Sequence, residues 1–408
     1  MELPPELTGV EVRIIALVGK WFPTGSHKVG ASFGCLVPPL VTGQFDPTIH
    51  KAVWPSTGNF CRGGAYDAKL LACESIAILP EQMSPERFQW LRTVTGEIIA
   101  TPGSESNVKE IFDKVWELRA TRQGIFVFNQ FAEFGNYLFH YEVTGHAMQE
   151  VIQKEIGGGQ YRGVCLSTGS AGTIACGDYL KQVYPASKIV AGEALQCPTL
   201  LLNGYGAHRI EGIGDKHVPW IHNVRNTDMA IGIDDNDPMH LMRLFNEPAG
   251  RDYLIHEVGV SEELVSKLDL LGISSIANVL AAIKFAKYYE LTRKDIVMTV
   301  FTDSMELYQS RLQESREQER EYGKGHADHD FHKHLMATKT DSMMELNYYD
   351  RKRIHNLKYF TWIEQQKIDL NELNRQWYDY ESYWGDIQKL PPKIDELIVQ
   401  FNERVGLM

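Results

Sequence analysis

Lys28 is the residue with the clearest chemical potential, set in Phe22-Pro23-Thr24-Gly25-Ser26-His27-Lys28-Val29-Gly30-Ala31-Ser32. Pro23 and Gly25 favour a turn, and Thr24 or Ser26 is placed to cap a helix carrying Lys28 in its first turn. There the positive end of the helix dipole disfavours an ammonium group. Only a neutral lysine amine attacks an aldehyde to form an imine. On this stretch alone, an exposed and solvated lysine is the simpler reading.

Two turns add anion-binding chemistry. Ser56-Thr57-Gly58-Asn59 follows the strand-like run 51–54 and precedes a helix expected over 65–73. Backbone N–H groups and hydroxyls there converge outside a sheet, where a carboxylate is a good candidate ligand. Gly169-Ser170-Ala171-Gly172-Thr173 lies between a strand at 163–167 and a helix at 174–184. Its small residues let the backbone close on a dianion at a helix N-terminus. No Walker lysine or GxGxxG with a following acidic residue accompanies it, which disfavours nucleotides. Gln130 ends another strand, where open α/β sheets place ligand contacts. Ser274, in Gly272-Ile273-Ser274-Ser275, could hydrogen-bond a heteroaromatic nitrogen or cap the next helix. Each turn taken singly also fits a plain βα connection.

The elements that position these residues alternate. Strands are expected at 11–18, 51–54, 75–80, 97–100 and 125–128, with helices at 65–73, 84–94, 104–119 and 137–154 between or after them. Pro38-Pro39 is expected to stop the Lys28 helix. Beyond Gly157-Gly158-Gly159 come strands at 163–167, 188–193 and 295–301 and a helix at 277–291. This spacing predicts right-handed βαβ units and an α/β fold of two open, mostly parallel sheets flanked by helices. The expected units are 1–150, carrying Lys28 and the Ser56–Asn59 loop, and 151–312, carrying the glycine-rich turn. A helical extension follows at 313–408.

The 408 residues can bury a sizeable core. A net charge of −12 argues against a nucleic-acid partner. Apolar stretches are broken before membrane-spanning length, and the first residues lack a signal-like pattern, so a soluble cytoplasmic protein with no membrane partner is expected. Six scattered cysteines without a CxxC pair read as reduced core thiols. His140 and His146 read as packing residues, and no metal is expected there.

Together these stretches resemble the fold-type-II pyridoxal-phosphate enzymes, within them the cysteine synthase and cystathionine β-synthase group. The resemblance covers about residues 11–312 and rests on Pro23-Thr24-Gly25-Ser26-His27-Lys28, Ser56-Thr57-Gly58-Asn59, Gln130-Phe131 with Asn136, Gly169-Ser170-Ala171-Gly172-Thr173, Glu211-Gly212-Ile213-Gly214 and Gly272-Ile273-Ser274-Ser275. It implies pyridoxal 5′-phosphate as cofactor, joined to Lys28, which also moves the Cα proton of the substrate. It further implies that Asn59 meets the cofactor's 3′-oxygen, that residues 169–173 hold its phosphate, and that Ser274 faces its pyridine nitrogen. His27 resembles the phosphate-contacting histidine of tryptophan synthase β chains. Ser56, Thr57, Gly58, Gln130 and Gly212 would bind the substrate. The implied reaction is β-elimination or β-replacement on a serine- or cysteine-type amino acid through an aminoacrylate, in a homodimer. The alternative is a serine/threonine dehydratase or racemase of the same fold, and behind it a non-catalytic binding subunit. Departures from the group are Val29-Gly30 after the lysine and Phe60-Cys61-Arg62 after the asparagine. Arg62 reads either as an extra anion contact or as a surface arginine.

Residues 313–408 lie outside the resemblance. A charged, exposed helix is expected at 313–322. The run His326-Ala327-Asp328-His329-Asp330-Phe331-His332-Lys333-His334 reads as a solvated loop whose spacing fits no established metal site. The aromatic remainder, ending in an amphipathic helix at 394–405, is expected to cover the core or a partner subunit.

Overall fold

Strands alternate with helices and sort into two sheets. The computed structural model describes residues 1–214, 216–318 and 321–407. In chain order the strands are β1 (Glu2–Leu3), β2 (Arg13–Val18), β3 (Lys51–Pro55), β4 (Ser75–Pro80), β5 (Glu97–Thr101), β6 (Ile125–Val127), β7 (Gln160–Ser167), β8 (Lys188–Ala194), β9 (Met229–Ile233), β10 (Asp295–Phe301) and β11 (Met343–Glu345). The smaller sheet runs β5-β4-β3-β6, and the larger β1-β2-β10-β7-β8-β9-β11. All pairs are parallel except the two edges, where β1 lies antiparallel to β2 and β11 to β9. Helices bury the faces of both sheets, so a strand such as Ser-Ile-Ala-Ile-Leu-Pro of β4 is buried at every position.

The N-terminal unit expected at 1–150 is not continuous. β2 pairs along its whole length with β10, Arg13 opposite Ile296 and Val18 opposite Phe301. The chain therefore starts in the larger sheet and crosses to the smaller one after α1 (Lys28–Val41). That helix runs through Pro38 and Pro39 instead of stopping before them. Both prolines fall in its last turn, where Thr42 donates to Pro38 O from its N–H (3.2 Å) and its hydroxyl (2.8 Å).

Between the two glycine loops of the second unit and Gly272, the structure adds β9, α4 (Asn236–Asn246) and further short helices that the sequence reading leaves unassigned; α2 (Asn59–Leu70) and α3 (Ala175–Val183) precede them, and α5 (Ile273–Tyr288) follows. No single helix among the described residues is long and apolar enough to cross a membrane. All six cysteines are buried.

The extension is mainly helical, yet it also supplies β11 to the larger sheet. The charged helix covers Gln309–Gln318, and positions 319 and 320 of the expected 313–322 helix lie outside the described residues. The expected solvated loop at 326–334 is instead α6 (Lys324–Asp330), continued by a π-helical turn, Phe331–Met336. Phe331 and Leu335 of that turn are buried in the core beside α4, which is what holds it helical. Farther on, Lys358 reaches into the core and donates to Trp220 O (2.9 Å), His222 O (2.7 Å) and Gln376 Oε1 (2.7 Å). Trp362 Nε1 donates to Val218 O (2.8 Å) beside it.

Candidate active site

The C-terminal ends of β3, β6, β7 and β10 face one cleft, and each delivers a loop into it. Lys28 opens α1, with His27 at the N-cap position. Ser26 assists, since its Oγ accepts from the Lys28 N–H (3.3 Å), while the Thr24 hydroxyl donates to Ser26 O (3.3 Å). Neither Thr24 nor Ser26 is the cap itself. Lys28 Nζ donates to Ser170 Oγ (2.8 Å) and Gln130 Oε1 (3.4 Å), which puts the amine between the loop after β7 and the one after β6. Gln130 Nε2 in turn donates to Ser56 Oγ (3.1 Å), and that oxygen also accepts from the Gly58 N–H (3.1 Å). Asn136 Nδ2 donates to Ser170 Oγ (3.0 Å) and Gln130 O (2.9 Å). Lys28, Ser56, Gly58, Gln130, Ser170 and Asn136 thus form one polar chain.

Lys28, Gly169, Ser170, Ala171, Thr173, Gly212 and Thr302 share the wall of a small cavity. Ala171, within this loop, has φ +59°, a left-handed backbone conformation uncommon for residues other than glycine. Gly172 lies so close to Asn136 that a Cβ there would stand 2.0 Å from Asn136 Oδ1. The Gly212 loop is tied to the same place, because Gly214 donates its N–H to Thr168 O (2.6 Å). Ser274, in the first turn of α5, stands behind Gly212 and is not among the wall residues. Its hydroxyl is buried without a partner.

His27 is buried beside Lys28. Its Nε2 is 3.2 Å from Thr173 Oγ1 and its Nδ1 3.4 Å from Thr302 O. Burial, reinforced by the Lys28 charge, pushes its pKa down to about 3, so the ring is neutral. With Nδ1 donating to the Thr302 carbonyl, Nε2 accepts the Thr173 hydroxyl proton. Thr57 and Asn59 complete the loop after β3. Asn59 Nδ2 donates to Asp303 Oδ2 (2.6 Å), and Asn59 Oδ1 is buried without a partner.

Behind the Ser56–Asn59 loop lies a charged layer that sequence reasoning missed. Gly58 has φ +151°, and a Cβ on it would meet Arg87 Cδ at 2.8 Å. Arg87 donates to Glu211 Oε2 (2.5 Å), Tyr308 Oη (2.9 Å) and Thr57 O (3.4 Å), and Tyr308 donates to Asp303 Oδ2 (2.7 Å). Burial works against the Arg87 charge, but Tyr308, Glu211, Glu105 and Asp303 outweigh it and hold the guanidinium firmly protonated. Burial raises the Asp303 carboxyl above its usual range, against the pull of Arg87. Arg62 belongs to this layer too and is no surface residue. It is 3% exposed, lies over the Trp90 ring at 4.7 Å, and burial lowers its pKa to about 10. An arginine three residues after a loop asparagine was the available signal for it; Arg87, Glu105 and Asp303 carried no local signal.

Among known proteins, the family model described as pyridoxal-phosphate dependent enzyme matches residues 21–251, more than half of the chain. A cysteine synthase of Staphylococcus aureus is 30% identical over 289 residues, covering 71% of this chain and 84% of that protein. A cystathionine beta-synthase of Saccharomyces cerevisiae is 25% identical over 317 residues, 76% of this chain and 59% of that one. Among solved structures, an O-acetylserine dependent cystathionine beta-synthase from Helicobacter pylori aligns with a TM-score of 0.62 at 25% identity, covering 76% of this chain and 93% of that one.

Proposed function

The chain belongs to the pyridoxal-phosphate dependent enzyme family, and from that premise we propose that it catalyses β-elimination and β-replacement on a serine- or cysteine-type amino acid. The observation that carries this reading is the position of Lys28 Nζ, 2.8 Å from Ser170 Oγ in the glycine-rich loop and 3.4 Å from Gln130 Oε1, which is itself bonded to the Ser56 loop. One amine is thereby in reach of both a phosphate-type and a carboxylate-type anion site.

The residues present fit the cofactor. Gly169, Ser170, Ala171 and Thr173 line a cavity together with Lys28, and Asn59 Oδ1, Asn136 Oδ1 and Ser274 Oγ are buried polar atoms without partners. Lys28 would hold the cofactor through its amine, with residues 169–173 and His27 at its phosphate, Asn59 at its ring oxygen and Ser274 near its ring nitrogen. When bound, the cofactor withdraws electrons from Cα, so that the proton there becomes acidic and a leaving group on Cβ can depart. Ser56, Thr57, Gly58 and Gln130 would orient the substrate carboxylate, and Gly212, which lines the same cavity as Lys28, would also contact the substrate. Lys28 removes and returns the proton at Cα, with the Ser170 hydroxyl available to steady its ammonium form. The neutral His27 would meet the phosphate as a hydrogen-bonding ring and bring no charge of its own. A homodimer is part of this reading, supported by exposed Trp21, Phe22 and Phe33 close in sequence to Lys28, as is a cytoplasmic setting, supported by six buried cysteines that are free thiols.

The test is a visible spectrum of the cofactor-loaded protein, alone and after O-acetylserine, serine or cysteine. The expected result is a cofactor band lost in Lys28→Ala, shifted to longer wavelength by one of these substrates and restored by sulfide or a thiol. A wild-type protein whose band none of the three shifts would refute the β-elimination reading.

A further inference from the structure

Away from Lys28, the C-terminal extension meets α4 in a second group of ligand-type side chains. His240 comes from α4, Asp330 from the end of α6 and His334 from the π-helical turn after it. One nitrogen or carboxylate oxygen from each lies within 4.8 Å of the other two.

His334 gives the decisive detail. It is 5% exposed, and its two nitrogens differ in state. Nδ1 lies 2.8 Å from Asp237 Oδ1, which fixes the ring proton on that nitrogen. Nε2 therefore carries a lone pair, and it is buried without any hydrogen-bond partner. A carboxylate on one imidazole nitrogen with the other left to ligate is the arrangement that orients histidines at metals and raises their basicity. Asp330 is prepared in the same sense. Tyr322 donates to its Oδ2 (2.8 Å), while Oδ1 faces His240 Nδ1 at 3.1 Å and His329 Nδ1 at 3.2 Å.

The rings of His240 and His334 stack at 4.1 Å and 6°. Parallel imidazoles direct their lone pairs side by side, so a shared ion requires one ring to turn. His240 has the room, since its side chain is 30% exposed and borders a cavity of about 530 Å³. A cavity of that volume has space for water as a further ligand.

We propose that His240, Asp330 and His334 bind one divalent transition-metal ion of the zinc class, which fastens the C-terminal extension to the core. Two imidazoles and one carboxylate suit Zn²⁺ and its neighbours, whereas Mg²⁺ and Ca²⁺ prefer an all-oxygen set. The spacing within 326–334 fits no established site because one ligand comes from a helix far upstream.

The test is calorimetric titration of ZnCl₂ into the full-length, cofactor-loaded protein after dialysis against EDTA, at about pH 7.5, where imidazole is unprotonated. His240→Ala, His334→Gln and, as a control on an exposed ring, His332→Ala are titrated alongside, with far-ultraviolet dichroism confirming their fold. Wild type and His332→Ala should bind one ion per chain, and both His240→Ala and His334→Gln should bind at least about tenfold more weakly. Zn²⁺ should also raise the melting temperature of wild type but not of His240→Ala. Absence of zinc binding in wild type, or unchanged affinity in His240→Ala, would overturn the proposal.

Discussion

Arg87 Nη1 lies 2.5 Å from Glu211 Oε2, with the two side chains 0% and 4% exposed. The pair joins the helix after β4 to the loop that carries Gly212, so a single ion pair spans the two sheets directly behind the Ser56–Asn59 loop. Removing the cation alone would leave buried Glu211 with Arg311 on its other oxygen (2.7 Å) as its remaining ion pair and Asp303 with only the neutral donors Asn59 and Tyr308. Arg87→Met should lower stability in urea denaturation by about 3–5 kcal/mol, as broken buried pairs do. A loss below about 1 kcal/mol, the scale of exposed pairs, would show that water reaches this layer.

Gly172→Ala tests the packing of the glycine-rich loop on Asn136. The added methyl would stand 2.0 Å from Asn136 Oδ1, an atom fixed because the same amide donates to Ser170 and Gln130 O. Overpacking of this kind costs about 1–3 kcal/mol. Equilibrium dialysis should therefore find pyridoxal phosphate held about tenfold or more less tightly, with the melting temperature of the cofactor-free protein falling by only a few degrees.

Buried histidines set the acid limit of the fold, and His140, His208 and His355 are among those held below their usual pKa by burial. Burial pushes His27, His217 and His222 each down to about 3, with Lys28 adding to the effect at His27 and Lys358 at His222. Each folded pKa is below the unfolded value of 6.5, so the stability these rings contribute is complete above 6.5 and drains away as pH falls towards 3. Melting temperature should drop steadily across that window. His217→Leu, which removes a ring packed between Phe131 and Trp362, should flatten the slope while leaving the curve above neutral pH nearly unchanged in shape.

Lys358 is expected to be the main anchor of the extension. Its ammonium is wholly buried, burial pulls its pKa well down, and three oxygens accept from it. Lys358→Met takes one donor from each and leaves Gln376 Oε1 with none, while Trp220 O keeps Gln376 Nε2 (3.2 Å) and His222 O keeps the Val224 N–H (2.9 Å), for a loss of about 1–3 kcal/mol. Hydrogen exchange followed by mass spectrometry should show faster exchange at 217–223 and 348–377 and little change in the smaller sheet. Uniform exchange across the chain would contradict this assignment.

The parallel α/β fold was legible because it is written locally, in short apolar strands followed by turns that hold Ser, Thr, Gly and Asn. The same is true of Lys28, the Ser56–Asn59 loop and residues 169–173, where the turn chemistry and the anion-binding groups are contiguous. What escaped was long-range. Asn59 and Asp303 are 244 residues apart, and Arg87 and Tyr308 are 221 apart, so neither pairing leaves a trace in any one window. Pro38 and Pro39 misled in the opposite way, since each gives up its own bond to the preceding turn and the helix still continues past them to Val41. The 326–334 run looked solvated because its charges are dense, yet Phe331 and Leu335 bury the turn and carry His334 inside with them.

The pairing of β2 with β10 has a consequence for synthesis. Arg13–Val18 leads into Lys28, but its partner strand is Asp295–Phe301. A ribosome must emit nearly three hundred further residues before that partner exists. Until then the lysine hangs from a strand with only the two residues of β1 beside it. The pocket is therefore assembled late, by a chain closing on its own beginning, and the cofactor can only be captured once the tail end of the catalytic unit has left the tunnel.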